Sequence, residues 1–197
     1  FSKKSLRSWY KSNYSELSKS VPYKGKLYFF CDDFTNYQDS HIGIKAIKLL
    51  VSLGYQVEMV NHEGSGRAAL SKGLLSIAKR IVNKNVSIFS SLITDDIPLV
   101  GIEPSAILSF RDEYLRLADE KEKAHQLKPN VYLFGEFLYR EMEKGNLSAD
   151  DFIDEPQHIL LHGHCHQKAL SAVESSAFIL GLPTNYEIEV VQSGCCG

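Results

Sequence analysis

Hydrophobic and polar positions along the chain fall into blocks whose period switches between two and about 3.6 residues. Residues 1–24 are polar and rich in Lys and Ser, with Trp9 and Tyr10 as the strong apolar positions, and they read as a linker or a surface-wrapping lead-in. Lys26-Leu27-Tyr28-Phe29-Phe30 is a short apolar run that predicts a buried strand. Ile42, Ile44, Ile47, Leu49, Leu50 and Leu53 recur at helical spacing, and Gly54 follows as a stop. Tyr55 to Val60 predicts a second strand. Ala68 to Val82 predicts a second helix, with Leu70, Leu74, Ile77, Ala78 and Ile81 on one face. Val86-Ser87-Ile88-Phe89 and Ile97 to Ile102 predict two further strands. Ser105 to Leu117 and Val131 to Glu143 predict helices, and Asp119-Glu120-Lys121-Glu122-Lys123 between them reads as a solvated face or hinge.

After Asp150-Asp151 the rhythm restarts. Gln157 to His162 predicts a strand, Gln167 to Leu180 a helix ending at Gly181, and Tyr186 to Val191 a strand. Strands alternating with helices at this rate require parallel pairing through right-handed crossovers. The expected fold is therefore α/β: two related half-domains with mainly parallel sheets and flanking helices. Residues 25–150 form the first half and 151–197 the second, which is expected to be truncated. The chain opens on Phe1 without a Met and stops at Cys195-Cys196-Gly197, which reads as a piece of a longer protein.

Composition narrows the function classes. Of 197 residues, 44% are hydrophobic and 23% charged, an ordinary globular balance that excludes disorder. The formal net charge of −2 argues against a nucleic-acid binder. No apolar run approaches the roughly 18 residues a membrane-spanning helix needs. The four cysteines, Cys31, Cys165, Cys195 and Cys196, are too few for a disulfide scaffold of this length. With no export signal, a reducing cytoplasmic setting is expected, which leaves the thiols to metal, to catalysis or to packing alone.

The densest chemical cluster is His162-Gly163-His164-Cys165-His166, directly after a predicted strand. If the pleat continued, the three imidazoles would face one side and the thiol the other. The next strand leads into Gly194-Cys195-Cys196-Gly197. Loops after neighbouring parallel strands leave the same sheet edge, so Cys165, Cys195 and Cys196 are expected to share one. Thiolates select zinc or iron–sulfur centres. Three thiols are one ligand short of a closed site, so the chain alone is expected to hold no cluster. Two other classes stay open: a zinc-binding structural or docking module on the same thiols, and a metallohydrolase using His162, His164 and His166.

The spacing Cys…Cys-Cys-Gly resembles the cysteine-rich CCG domain. That domain occurs in the catalytic subunit of heterodisulfide reductase, in iron–sulfur subunits of glycolate oxidase and anaerobic glycerol-3-phosphate dehydrogenase, and in fused flavin-linked dehydrogenases of 2-hydroxy acids. The resemblance to the fused group runs through Ser65 to Gly73, Glu103-Pro104-Ser105, Arg111-Asp112-Glu113-Tyr114, His162 to Ala169 and Ser193 to Gly197. It implies electron transfer through an iron–sulfur cluster of the 4Fe–4S type. Cys165, Cys195 and Cys196 would be ligands, completed by a cysteine beyond Gly197, with His164 and His166 outside the ligand set. FAD would sit on another domain, and the partners would be flavin dehydrogenase and ferredoxin-like domains of the same protein or complex. The first half departs from the pattern: Gly64-Ser65-Gly66 stand where the vicinal cysteines belong and Ala106 where a later one belongs. It is expected to bind no cluster, and Cys31 to be a packing residue.

Three further features have structural readings. Gly64-Ser65-Gly66-Arg67-Ala68-Ala69 matches a dinucleotide fingerprint, but Ser90-Ser91 stand where an acidic ribose ligand belongs, so a tight turn, or a helix N-terminus holding an anion with Arg67, is expected. Arg111 to Tyr114 reads as a helix joining the two halves. His41, His62, His125 and His158 stand alone and read as ordinary polar residues.

Overall fold

The computed structural model describes residues 2–18, 22–153, 155–171 and 173–194. These form two compact units that divide between Tyr132 and Leu133, upstream of the 150/151 boundary expected from the repeat.

In the first unit, β1 (Gly25–Phe30) is flanked by β2 (Tyr55–Glu58) and β3 (Leu99–Gly101). Both pairs are parallel, with Leu27 opposite Val57 and Phe29 opposite Val100. β4 (Val131–Leu133) completes the sheet order β2-β1-β3-β4. A central strand has neighbours on both sides, so the apolar run Leu27 to Phe30 is buried throughout. The crossover α3 (Ser40–Ser52) buries Ala46, Ile47, Leu50 and Val51 at helical spacing. A short helix, α2 (Asp33–Tyr37), precedes it, capped by Asp32 through the Thr35 N–H.

The polar lead-in folds as α1 (Leu6–Leu17) and packs on α3. Leu6 is fully buried, and Gly43 makes room for it: a Cβ at Gly43 would lie 2.5 Å from Leu6 Cδ2. The helix also covers the edge strand. The Tyr10 hydroxyl donates to the Val57 carbonyl at 2.8 Å, and the Val57 N–H donates to the Tyr14 hydroxyl at 2.7 Å. Backbone groups of β2 that no strand pairs are thereby satisfied.

After β2 come α4 (Arg67–Ser71) and α5 (Leu75–Phe89). The strand expected at Val86 to Phe89 is instead the last turn of α5. Ala78, Val82, Val86 and Phe89 form one buried helical stripe, and that packing overrides the strand preference of Val, Ile and Phe. The helix expected at Ser105 to Leu117 is broken into α6 (Pro104–Ile107), a 3-10 turn at Leu108–Arg111, and α7 (Glu113–Leu117). The charged hinge opens α8 (Lys121–Leu127), which buries Ala124 and Leu127.

The second unit begins with α9 (Phe134–Glu143), shorter than expected because Val131 to Leu133 form β4. A parallel pair follows, β5 (Gln157–Leu161) and β6 (Tyr186–Val190), with Ile159 opposite Ile188. α10 (Cys165–Leu170) and α11 (Val173–Leu180) make the crossover, the single expected helix being split between them. Gly135 allows α9 and α11 to approach, since a Cβ there would meet Ser176 Oγ at 2.7 Å. Each unit thus contains a parallel strand–helix–strand core. No helix among the described residues is long and apolar enough to cross a membrane.

Candidate metal centre

Because β5 and β6 run the same way, the segments after Leu161 and after Val190 leave one sheet edge. The Val191 N–H donates to the Leu161 carbonyl at 2.9 Å, carrying the pairing one step beyond the strands. Gly163 is buried in the first of these segments, where a Cβ would lie 2.7 Å from Val173 Cγ2. The pleat ends before the cluster. His164 is the N-cap of α10, its Nδ1 accepting from the His166 N–H at 3.2 Å, and Cys165 is the first helical residue.

That turn overrides the alternation expected for an extended segment. The Cys165 sulfur lies 3.9 Å from His164 Nδ1 and 3.7 Å from His166 Nδ1, and the two rings stack at 5.5 Å. One donor atom from each of the three residues falls within 4.8 Å of the others. His162 is exposed and outside this group. α10 is fixed from below by buried Gln167, whose Nε2 donates to Ser176 Oγ at 2.7 Å.

Cys195 and Cys196 lie outside the described residues. The described segment leading to them is held by Lys168, a residue to which the sequence reading gave no role of its own. Lys168 Nζ donates to the Ser193 carbonyl at 2.7 Å and to the Gly194 carbonyl at 3.0 Å. Lys168 stands three positions after Cys165 on α10, so the tie joins the two segments of this edge. Lys168 falls inside the His162 to Ala169 motif that carries the resemblance, but residue type alone does not show what its ammonium reaches.

At the corresponding edge of the first unit, each position singled out in the sequence packs or caps. Cys31 is buried, its N–H donates to His62 Nε2 at 3.2 Å, and burial pushes its thiol up to about 12. His62 is not an ordinary polar residue. Its ring stacks on Phe30 at 4.4 Å, its Nδ1 faces the Glu63 carbonyl, and desolvation lowers its pKa to about 4. Glu103 caps α6 through the Ala106 N–H, and Ala106 is itself buried.

The glycine turn is pinned from behind. The fully buried Asn85 donates from Nδ2 to the Gly64 carbonyl at 2.9 Å, and the Tyr114 hydroxyl donates to the Ser65 carbonyl at 3.0 Å. Gly66 sits at φ +80° ahead of α4, a backbone that favours glycine. Arg67 pairs with Glu113, and Arg111 donates to the Val131 carbonyl. Arg111 to Tyr114 thus tie the glycine turn and Val131 into the first unit, rather than joining two halves. Among the described residues, the His164–Cys165–His166 group is where metal-type side chains gather.

The chain is similar to proteins of known name. It is 26% identical over 171 residues to D-2-hydroxyglutarate dehydrogenase of Escherichia coli (strain K12), a match covering 84% of this chain and 16% of that protein. It is 25% identical over 194 residues to a subunit of the anaerobic glycerol-3-phosphate dehydrogenase of the same strain, covering 98% of this chain and 47% of that relative. The D-2-hydroxyglutarate dehydrogenase of Haemophilus influenzae matches at 24% over 181 residues, 87% of this chain and 17% of that protein. The chain therefore spans less than half the length of these curated relatives, all named as dehydrogenases or their subunits. No family model matches the chain, and no solved structure does.

Proposed function

We propose that this chain is the iron–sulfur electron-transfer domain of an FAD-linked oxidoreductase that acts on a 2-hydroxy acid or a similar substrate. Cys165, Cys195 and Cys196 are the thiolate ligands of a cluster of the 4Fe–4S type, completed by a ligand outside these three. The flavin domain and a ferredoxin-like domain of the same protein or complex are its partners. The observation that carries the reading is the Lys168 tie. It brings the residue bonded to Cys195 to the helix that begins with Cys165.

The donor chemistry at Cys165 fits such a group. Cys165 is a free, partly exposed thiol on a turn, unlike the buried Cys31. A cluster bound here would supply one-electron transfer. The chain's own residues would hold it and set its surroundings. His164 and His166 flank the sulfur at 3.9 and 3.7 Å, close enough to bias its charge and to exchange protons beside it.

One observation favours a second reading, a single zinc ion. Tetrahedral zinc with ordinary Zn–S and Zn–N bonds places sulfur and nitrogen about 3.5 Å apart. The 3.7 Å spacing of Cys165 and His166 lies near that value. Ligation through His164 Nδ1 would displace the hydrogen bond it accepts from the His166 N–H. Anaerobic purification of the full-length protein, with metal analysis and a visible spectrum, separates the two. Iron and acid-labile sulfide with broad absorption near 400 nm support the cluster, and stoichiometric zinc without that band supports the second reading.

A further inference from the structure

We propose that Lys168 is a positioning residue for the thiol centre, holding the segment that leads into Cys195-Cys196 against the helix that begins with Cys165. The inference rests on the thiolate-centre reading above and adds a residue to it. Lys168 lies about one turn along α10 from Cys165, and its ammonium reaches the Ser193 and Gly194 carbonyls at 2.7 and 3.0 Å. Gly194 is bonded directly to Cys195, so its carbonyl is the nearest backbone acceptor that a clamp on the vicinal cysteines could grip.

The path of the lysine stem is built into the preceding loop. A Cβ at Gly163 would stand 3.2 Å from Lys168 Cε and 2.7 Å from Val173 Cγ2. The bare Gly163 therefore leaves room for Val173 and spares the stem a tight contact on its way across the first loop. Both partners of the ammonium in this tie are neutral carbonyls, so these bonds leave its positive charge uncancelled. A fixed positive charge beside a bound cluster favours its more negative, reduced form over the oxidised one. Lys168 therefore has two separable effects, bringing the thiols together and raising the reduction potential of what they bind.

The first effect is read without any metal. In metal-free protein carrying Cys196→Ser, dibromobimane crosslinks Cys165 to Cys195, and mass spectrometry follows the crosslinked peptide. Lys168→Ala is expected to slow that reaction roughly fivefold, the scale of one lost charge-assisted hydrogen bond at an exposed site, and Lys168→Arg to restore much of it. Equal rates in the parent and Lys168→Ala would overturn the clamp. The second effect is read in anaerobically loaded full-length protein, where Lys168→Ala is expected to lower the midpoint potential and Lys168→Arg to hold it. An unchanged potential in Lys168→Ala overturns the charge role. Normal Lys168-dependent crosslinking in a protein that takes up neither iron nor zinc would sink the metal-centre reading while supporting the positioning role.

Discussion

The Tyr114 hydroxyl donates to the Ser65 carbonyl across 49 positions of sequence, and the same hydroxyl accepts from Asn85 Nδ2 at 2.9 Å. Tyr114 and Asn85 are both buried, so neither bond can be replaced by water without rearrangement. Tyr114→Phe removes the hydroxyl and leaves two buried polar groups short of a partner. It should cost about 1–3 kcal/mol of stability in urea unfolding. A loss below about 0.3 kcal/mol would mean that the glycine turn does not depend on this network.

The edge of the first sheet offers a second test. Replacing both Tyr10 and Tyr14 by Phe removes the hydroxyls that satisfy the Val57 carbonyl and N–H. The Val57 amide should then exchange with solvent markedly faster, while the amides of β1 stay protected. Gly43→Ala should loosen the same helix by a different route, because its Cβ would press on Leu6 and Thr35. Overpacking of this kind costs about 1–3 kcal/mol.

Much of the fold was legible in the sequence, and the misses share a cause. β1, β2, β5 and β6 were readable because their apolar runs are short and bounded by glycine, proline or polar residues. Val86 to Phe89 was misread as a strand because four residues cannot show that they continue a stripe begun at Ala78. The helix in the lead-in was not legible because α1 buries little besides Leu6 and works through the hydroxyls of Tyr10 and Tyr14, which hydrophobic periodicity does not register. At the site, His164, Cys165 and His166 were identified by residue type. Their convergence was not, because it depends on the helix starting at Cys165.

His62 makes the first unit sensitive to acid. Its pKa falls from 6.5 to about 4 on folding, so the unfolded chain takes up a proton first as the pH drops. Stability should therefore decrease between about pH 6.5 and 4 and level off below that, as far as this group is concerned. His62→Gln keeps an acceptor for the Cys31 N–H and should flatten the slope in that window. An unchanged slope in His62→Gln would assign the acid sensitivity elsewhere.

The most direct measurement of the proposed function is cluster loading in the full-length protein with Cys165→Ser, read by electron paramagnetic resonance after reduction and by iron and sulfide analysis. Serine keeps the size of the side chain and removes the soft sulfur ligand. The expected result is loss of the cluster signal fed by this domain, with reduction of the flavin by substrate unimpaired. A Cys165→Ser protein that holds the same iron, sulfide and signal as the parent would contradict the assignment of Cys165 as a ligand, and with it the electron-transfer role proposed for the domain.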